Sequence, residues 1–183
     1  MKQLVTTYHL EMLDRAELRP ASAPALALEV HPVAPPSPEL ARFFYSAVGG
    51  DYFWIDRLGW SYGRWQAHLG RPEVEMWIGT HAGVPVGYFE LERQPEDAVE
   101  ITYFGLLPQW IGRGLGGALL TAAIERAWAG ARRVWVHTCS LDGPAALANY
   151  QARGFRQFRE ETEAVDLPDS PPGPWPGARS SSQ

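Results

Sequence analysis

The chain has 183 residues, 45% of them hydrophobic and 20% charged, with a formal net charge of −5. That balance suits one globular domain with a full-sized core and argues against broad contact with a nucleic-acid backbone, which needs a cationic surface. A single cysteine, Cys139, excludes an internal disulfide framework and a thiolate zinc cluster, and no metal is expected.

Nothing after Met1-Lys2 has the apolar core of a secretory signal, and no run approaches membrane-spanning length. A cytoplasmic protein without membrane contact, monomeric or homodimeric, is therefore expected. Residues 1–36 read as an irregular extension. Leu4 to Leu13 and Leu26 to Val33 could form edge strands, but five prolines between positions 20 and 36 cannot supply ladder donors.

Ser37-Pro38-Glu39 reads as a helix start, a hydroxyl cap followed by proline in the first turn. The helix should end at Gly49-Gly50. Asp51 and Ser61 can each cap a further short helix, stopped by Gly59 and Gly70. From Val74 the pattern alternates, and three strands (74–79, 86–92, 99–107) joined by short turns predict an antiparallel meander. Leu115, Leu119, Leu120, Ala123, Ile124, Ala127 and Trp128 share one helical face. A strand over 134–139, a helix over 144–152 and a strand over 155–165 complete a mixed α/β domain over 37–166. The Pro-, Gly- and Ser-rich tail, 167–183, is expected to be mobile.

Chemistry concentrates where the meander meets the long helix. Gly112, Gly114, Gly116 and Gly117 fall within six residues at the helix entry. They remove Cβ atoms where backbone and ligand approach, and the first-turn N–H groups with the helix dipole make an anion site to which Arg113 can add charge. A tight turn used only for packing is the plain alternative. The P-loop pattern fails because Ala118-Leu119 stands where Lys and Ser or Thr belong, and the dinucleotide pattern lacks a strand running directly into its first glycine.

Two segments carry a resemblance. Ile111-Gly112-Arg113-Gly114-Leu115-Gly116 and Tyr150-Gln151-Ala152-Arg153-Gly154-Phe155 resemble the signatures of the GNAT superfamily of N-acetyltransferases, and the element order from Ser37 to Val165 is similar. Ile111 departs from the Arg or Gln that opens the first signature, and Gly143 from an Asn common in members. The resemblance implies a GNAT-like fold, with a mostly antiparallel central sheet and helices on both faces. It also implies acetyl-CoA as co-substrate, its pyrophosphate on the amides of Gly112 to Gly117, Leu115 among them, and its arm along Leu106 and Leu107.

An amine near pKa 10.4 is protonated at neutral pH, so transfer needs a base, an acid for the leaving thiolate and donors for the oxyanion. By the same resemblance Glu100 is the first candidate base and Tyr150 the acid. Glu90, Glu92 and His137 stand in reserve, against the plainer readings of surface glutamate and structural histidine. Cys139 reads as a small buried hydrophobe more readily than as a nucleophile. Aromatic residues crowd the stretch from Asp51 to His68, and Asp51, Trp54 and Trp60 are the candidates for binding a small-molecule amine, although packing alone would also explain the rings.

Overall fold

The computed structural model describes residues 2–175 and 178. Seven strands form one sheet: β1 (Lys2–Met12), β2 (Glu29–Pro32), β3 (Val74–His81), β4 (Val84–Gln94), β5 (Ala98–Leu106), β6 (Arg133–Cys139) and β7 (Arg156–Asp166). Their order across the sheet is β2-β3-β4-β5-β6-β1-β7. Every neighbouring pair is antiparallel except β5 and β6, which are parallel and joined by the crossover helix α3 (Leu115–Ala127). Helices α1 (Pro38–Gly49) and α2 (Tyr62–Leu69) precede the meander, and α4 (Ala146–Ala152) follows β6.

Local chemistry explains the helix ends. The Ser37 and Ser61 hydroxyls accept from the N–H groups of Leu40 and Arg64, both at 3.3 Å, so each serine caps its helix. The short helix expected after Asp51 does not form. Phe53 takes a φ of 58°, which no helix tolerates, and Trp54 instead packs edge-on against Tyr103 at 4.9 Å. Ring burial wins over helix propensity here.

On one face of the sheet, Leu119, Leu120, Ala123 and Ile124 of α3 bury against Leu10, Leu91, Ile101 and Val136, with Tyr150 of α4 joining them. On the other, Phe44, Tyr45, Trp65 and Leu69 of α1 and α2 cover Val74, Met76 and Tyr88. Those two helices leave the β6-β1-β7 half of that face open.

The first strand corrects the expectation of an edge addition. Leu10 and Met12 are fully buried, and β1 lies inside the sheet between β6 and β7; of the two N-terminal strands only β2, on β3, is an edge. Its alternation of apolar and polar side chains fits an interior strand once partners on both sides are known. The tail begins docked: Leu167 is buried and the Gly173 N–H donates to the Gly50 carbonyl at 2.9 Å. Residues 176, 177 and 179–183 of the expected mobile tail lie outside the described residues. Among the described residues no helix is long and apolar enough to cross a membrane.

Candidate active site

After Leu106 a single helical turn, Pro108–Trp110, swings the chain out of the sheet. Gly112 and Gly114 then adopt φ values of 80° and 76°, a region costly to any residue with a Cβ. Space is open where that Cβ would stand. Gly114 caps α3 without offering a side-chain acceptor. The N–H groups of Leu115, Gly116 and Gly117 therefore have no partner within the helix and sit at the positive end of its dipole. Gly117 has a separate purpose: a Cβ there would meet Arg153 Nη1 at 2.4 Å. Arg113 stands exposed on the rim, its guanidinium 5.3 Å from the centre of the Trp110 ring.

Beside this mouth the sheet splits. The β5–β6 ladder runs only from Ala98–Arg133 to Ile101–Val136. On the other side of β5, Tyr103 pairs with Glu90 and Ile101 with Leu91, so Thr102 is an extra residue, a bulge that bends the strand. Past it β5 leaves β6, and a cavity of about 170 Å³ opens between them. Tyr103 and Phe104 form its β5 wall, His137 and Cys139 its β6 wall, and Tyr150 reaches in from α4. The loop after α1 closes the far end with Tyr52, Trp54 and Asp56.

The strand's free edge faces the same opening. The Leu107 N–H is already donated to the Val86 carbonyl at 2.8 Å. Because successive residues of a strand point to opposite edges, Leu106 turns its amide to the open side.

Three ionisable clusters surround the cavity. Glu100, with an 11% exposed side chain, does not line it. One of its oxygens lies 3.1 Å from His137 Nδ1, and the other accepts from Gln94 Nε2 at 2.8 Å. His137 is 46% exposed and does line it. The hydrogen bond to Glu100 raises the His137 pKa above the ordinary value, outweighing burial, which lowers it.

Glu90 is held elsewhere. It is buried, receives two hydrogen bonds from the Arg57 guanidinium at 2.9 and 3.0 Å, and meets His68 Nε2 at 3.0 Å. Burial pushes its carboxyl up, but the bonds from His68 and Arg57 prevail and hold it below the usual range. The bulge residue Thr102 also donates to Glu90 at 3.1 Å, so this cluster ties the loop after α1 to the point where β5 bends. Asp142 accepts from Thr138 Oγ1 at 2.7 Å, from the Cys139 N–H at 2.8 Å and from Trp54 Nε1 at 3.4 Å. It thereby joins the loop after β6 to the loop after α1.

A family model described as the acetyltransferase (GNAT) family matches residues 38–155. The chain belongs to that family. Among solved structures it is similar to a GCN5-related N-acetyltransferase from Kribbella flavida (20% identity, TM-score 0.61) over 85% of this chain and 56% of that one. A second, from Sphaerobacter thermophilus, matches at 17% identity and TM-score 0.63 over 88% of this chain and 51% of that one. The chain thus spans little more than half the length of these two. An aminoglycoside acetyltransferase, HMB0005, from an uncultured soil metagenomic sample matches at 20% identity and TM-score 0.58, over 79% of this chain and 100% of that one. At these identities the likenesses speak for the fold. No protein of curated function matches.

Within this GNAT fold the glycine turn and Leu106 meet at one mouth, and Tyr150 and Trp54 meet in one cavity. Leu107 is buried with its N–H engaged, so of the expected pair only Leu106 has its amide on the open side. Glu100 stands one residue removed from the cavity, behind His137. Trp60 lies outside it, under the Arg57 guanidinium at 4.7 Å and tilted against Trp65, and Asp51 does not line it either. Burial, then the Asp142 charge, pushes the Cys139 thiol up, the reverse of what a nucleophile requires. Of the two aspartates that the sequence offers for an ammonium, Asp51 and Asp56, only Asp56 lines the cavity, and the sequence reading did not single out Tyr103 or Asp142. Simple alternation from Glu100 puts Thr102 and Phe104 on its face; the bulge puts Tyr103 there instead.

Proposed function

We propose that this acetyltransferase moves the acetyl group of acetyl-CoA to the primary amine of a small molecule by direct attack, both substrates bound together. The observation that carries the reading is the junction of an uncapped helix mouth with the split between β5 and β6. An open, glycine-lined turn and unpaired N–H groups suit a diphosphate, and the free β5 edge suits an extended arm laid beside it. The space at Gly112 and Gly114 is open to such an anion, and any side chain there would crowd it.

On this reading the Leu106 edge aligns the arm so that the thioester enters the cavity beside Tyr150. Burial pushes the Tyr150 phenol well above its usual pKa, so the hydroxyl stays protonated and can donate to the departing sulfur. The hydroxyl makes no hydrogen bond to any described residue. Tyr52, Trp54 and Tyr103 enclose the amine, Asp56 offers it a negative charge, and the Glu100–His137 pair supplies the base. A cavity of about 170 Å³ favours a slender amine over a folded protein surface.

The test is coenzyme A release measured against a panel of primary amines, aminoglycosides, amino acids and peptides. Amine-dependent, saturable thiol release with a small amine is expected. Tight acetyl-CoA binding with no release by any amine would make the protein a silent acyl-CoA-binding module instead.

A further inference from the structure

We propose that His137 is the proton acceptor of the reaction and that Glu100 is a positioning residue acting through it. The inference rests on the acetyltransferase reading above and assigns the proton path within it.

Four residues make a directed chain. Trp135 Nε1 donates to Gln94 Oε1 at 2.9 Å, Gln94 Nε2 donates to Glu100 Oε2 at 2.8 Å, and Glu100 Oε1 meets His137 Nδ1 at 3.1 Å. Each carboxylate oxygen is thus engaged, and the side chain is nearly nine-tenths buried away from the cavity. A base must come within hydrogen-bond reach of the proton it takes, directly or through one water. Glu100 does not line the cavity beside Tyr150; it faces only the open groove against β1 and β7, whereas His137 borders both. With the His137 Nδ1 proton directed at Glu100, its Nε2 carries the lone pair and has no partner among the described residues. The other groups around the ring are Asp142 from the loop after β6, Asp56 from the loop after α1, His9 from β1 at 6.1 Å between ring centres, and Glu161 and Glu163 of β7 across the open face. Glu161 is already paired with Arg159 and His9, so Glu100, then Asp142 and Asp56, are the charges that favour the imidazolium once formed.

In the step itself, His137 Nε2 takes one proton from the ammonium, and the freed lone pair forms the C–N bond at the thioester carbonyl carbon. The tetrahedral oxyanion then re-forms its C=O as the C–S bond breaks with its electron pair on sulfur. The Tyr150 hydroxyl protonates that sulfur and regains a proton through water from the second N–H of the attacking nitrogen, leaving amide, free thiol and an imidazolium that returns its proton to solvent. Glu100 does not change protonation; it fixes the tautomer and steadies the charged ring.

The experiment combines pH profiles of kcat/KM with an NMR titration of the His137 ring in the wild type, Glu100→Gln, His137→Ala and His137→Gln. Acetyl-CoA binding reports that each variant is folded. The wild type should lose activity on the acid side with the same pKa that the ring shows by NMR. Glu100→Gln should keep measurable turnover while both pKa values move down together. Both His137 variants should lose that acid limb and about 10²-fold or more in kcat. If His137→Ala keeps the limb and Glu100→Gln abolishes it, Glu100 is the base and the assignment is overturned. A limb that ignores both residues overturns it equally. Absence of any amine-dependent turnover in the wild type would instead bring down the function reading itself.

Discussion

At the mouth of α3 the groups facing the cleft are backbone amides, left free by Gly112 and Gly114. At the other end, between the loop after α1 and the bend in β5, they are side chains: Tyr52, Trp54, Tyr103 and Asp56. The contrast decides what each end can recognise. Amides around a helix start bind a generic anion and demand only local geometry, so a short glycine pattern suffices. A pocket of side chains is assembled from distant segments and holds its shape only if a buried network fixes them. Here that network is Arg57, Glu90, His68 and Thr102.

The sharpest division between the ends is drawn at a hydroxyl that hydrogen-bonds to no described residue and faces the cavity. Tyr150→Phe should lower kcat by about 10²-fold or more, within the range for general acid catalysis, while leaving acetyl-CoA affinity within about twofold. Steady-state kinetics with a direct binding titration would read both, and an unchanged kcat would remove Tyr150 from the mechanism.

Next in size is the network beneath the acceptor end. Glu90→Ala strands a buried Arg57 guanidinium and should cost about 3 kcal/mol of stability by urea unfolding. The surviving folded protein should still bind acetyl-CoA. If instead donor binding disappears and stability holds, the two ends are not separately built.

The smallest effect concerns His137 and pH. Its folded pKa lies above the unfolded value near 6.5, so its contribution to stability is complete below that pH and fades as the pH rises through the folded pKa. Glu100→Gln should flatten that decline in a series of thermal melts from pH 5 to 9. An unaltered decline would show that the Glu100 contact carries none of it.

Legibility followed the same division. The glycine turn and the antiparallel meander lay in contiguous sequence, where spacing alone carries the geometry, and Tyr150 stood out through the family resemblance of its Tyr-x-x-x-Gly-Phe segment. What escaped depended on partners far away in the chain. β1 read as an edge because its neighbours β6 and β7 lie more than a hundred residues on. Tyr103 was hidden by a one-residue bulge that reverses the face of everything after it. Trp54 and Trp60 looked equivalent in sequence, yet one lines the cavity and the other lies under the Arg57 guanidinium. Glu100 falls on the third meander strand as its spacing suggests, but only the fold shows that His137, bonded to it, is the one of the two that lines the cavity.

The central claim, that free amides at the start of α3 hold the donor's diphosphate, is tested most directly by calorimetric titration of acetyl-CoA into three proteins. These are the wild type, Gly114→Val and Gly83→Val. Gly83 has a φ of 77°, nearly that of Gly114, and equally open surroundings, but lies in the β3–β4 turn, so it matches the backbone strain without touching the mouth. The account predicts saturable binding by the wild type and by Gly83→Val, and at least about tenfold weaker binding by Gly114→Val, a change of about 1.4 kcal/mol. Equal affinity in all three, or none in the wild type, would contradict it.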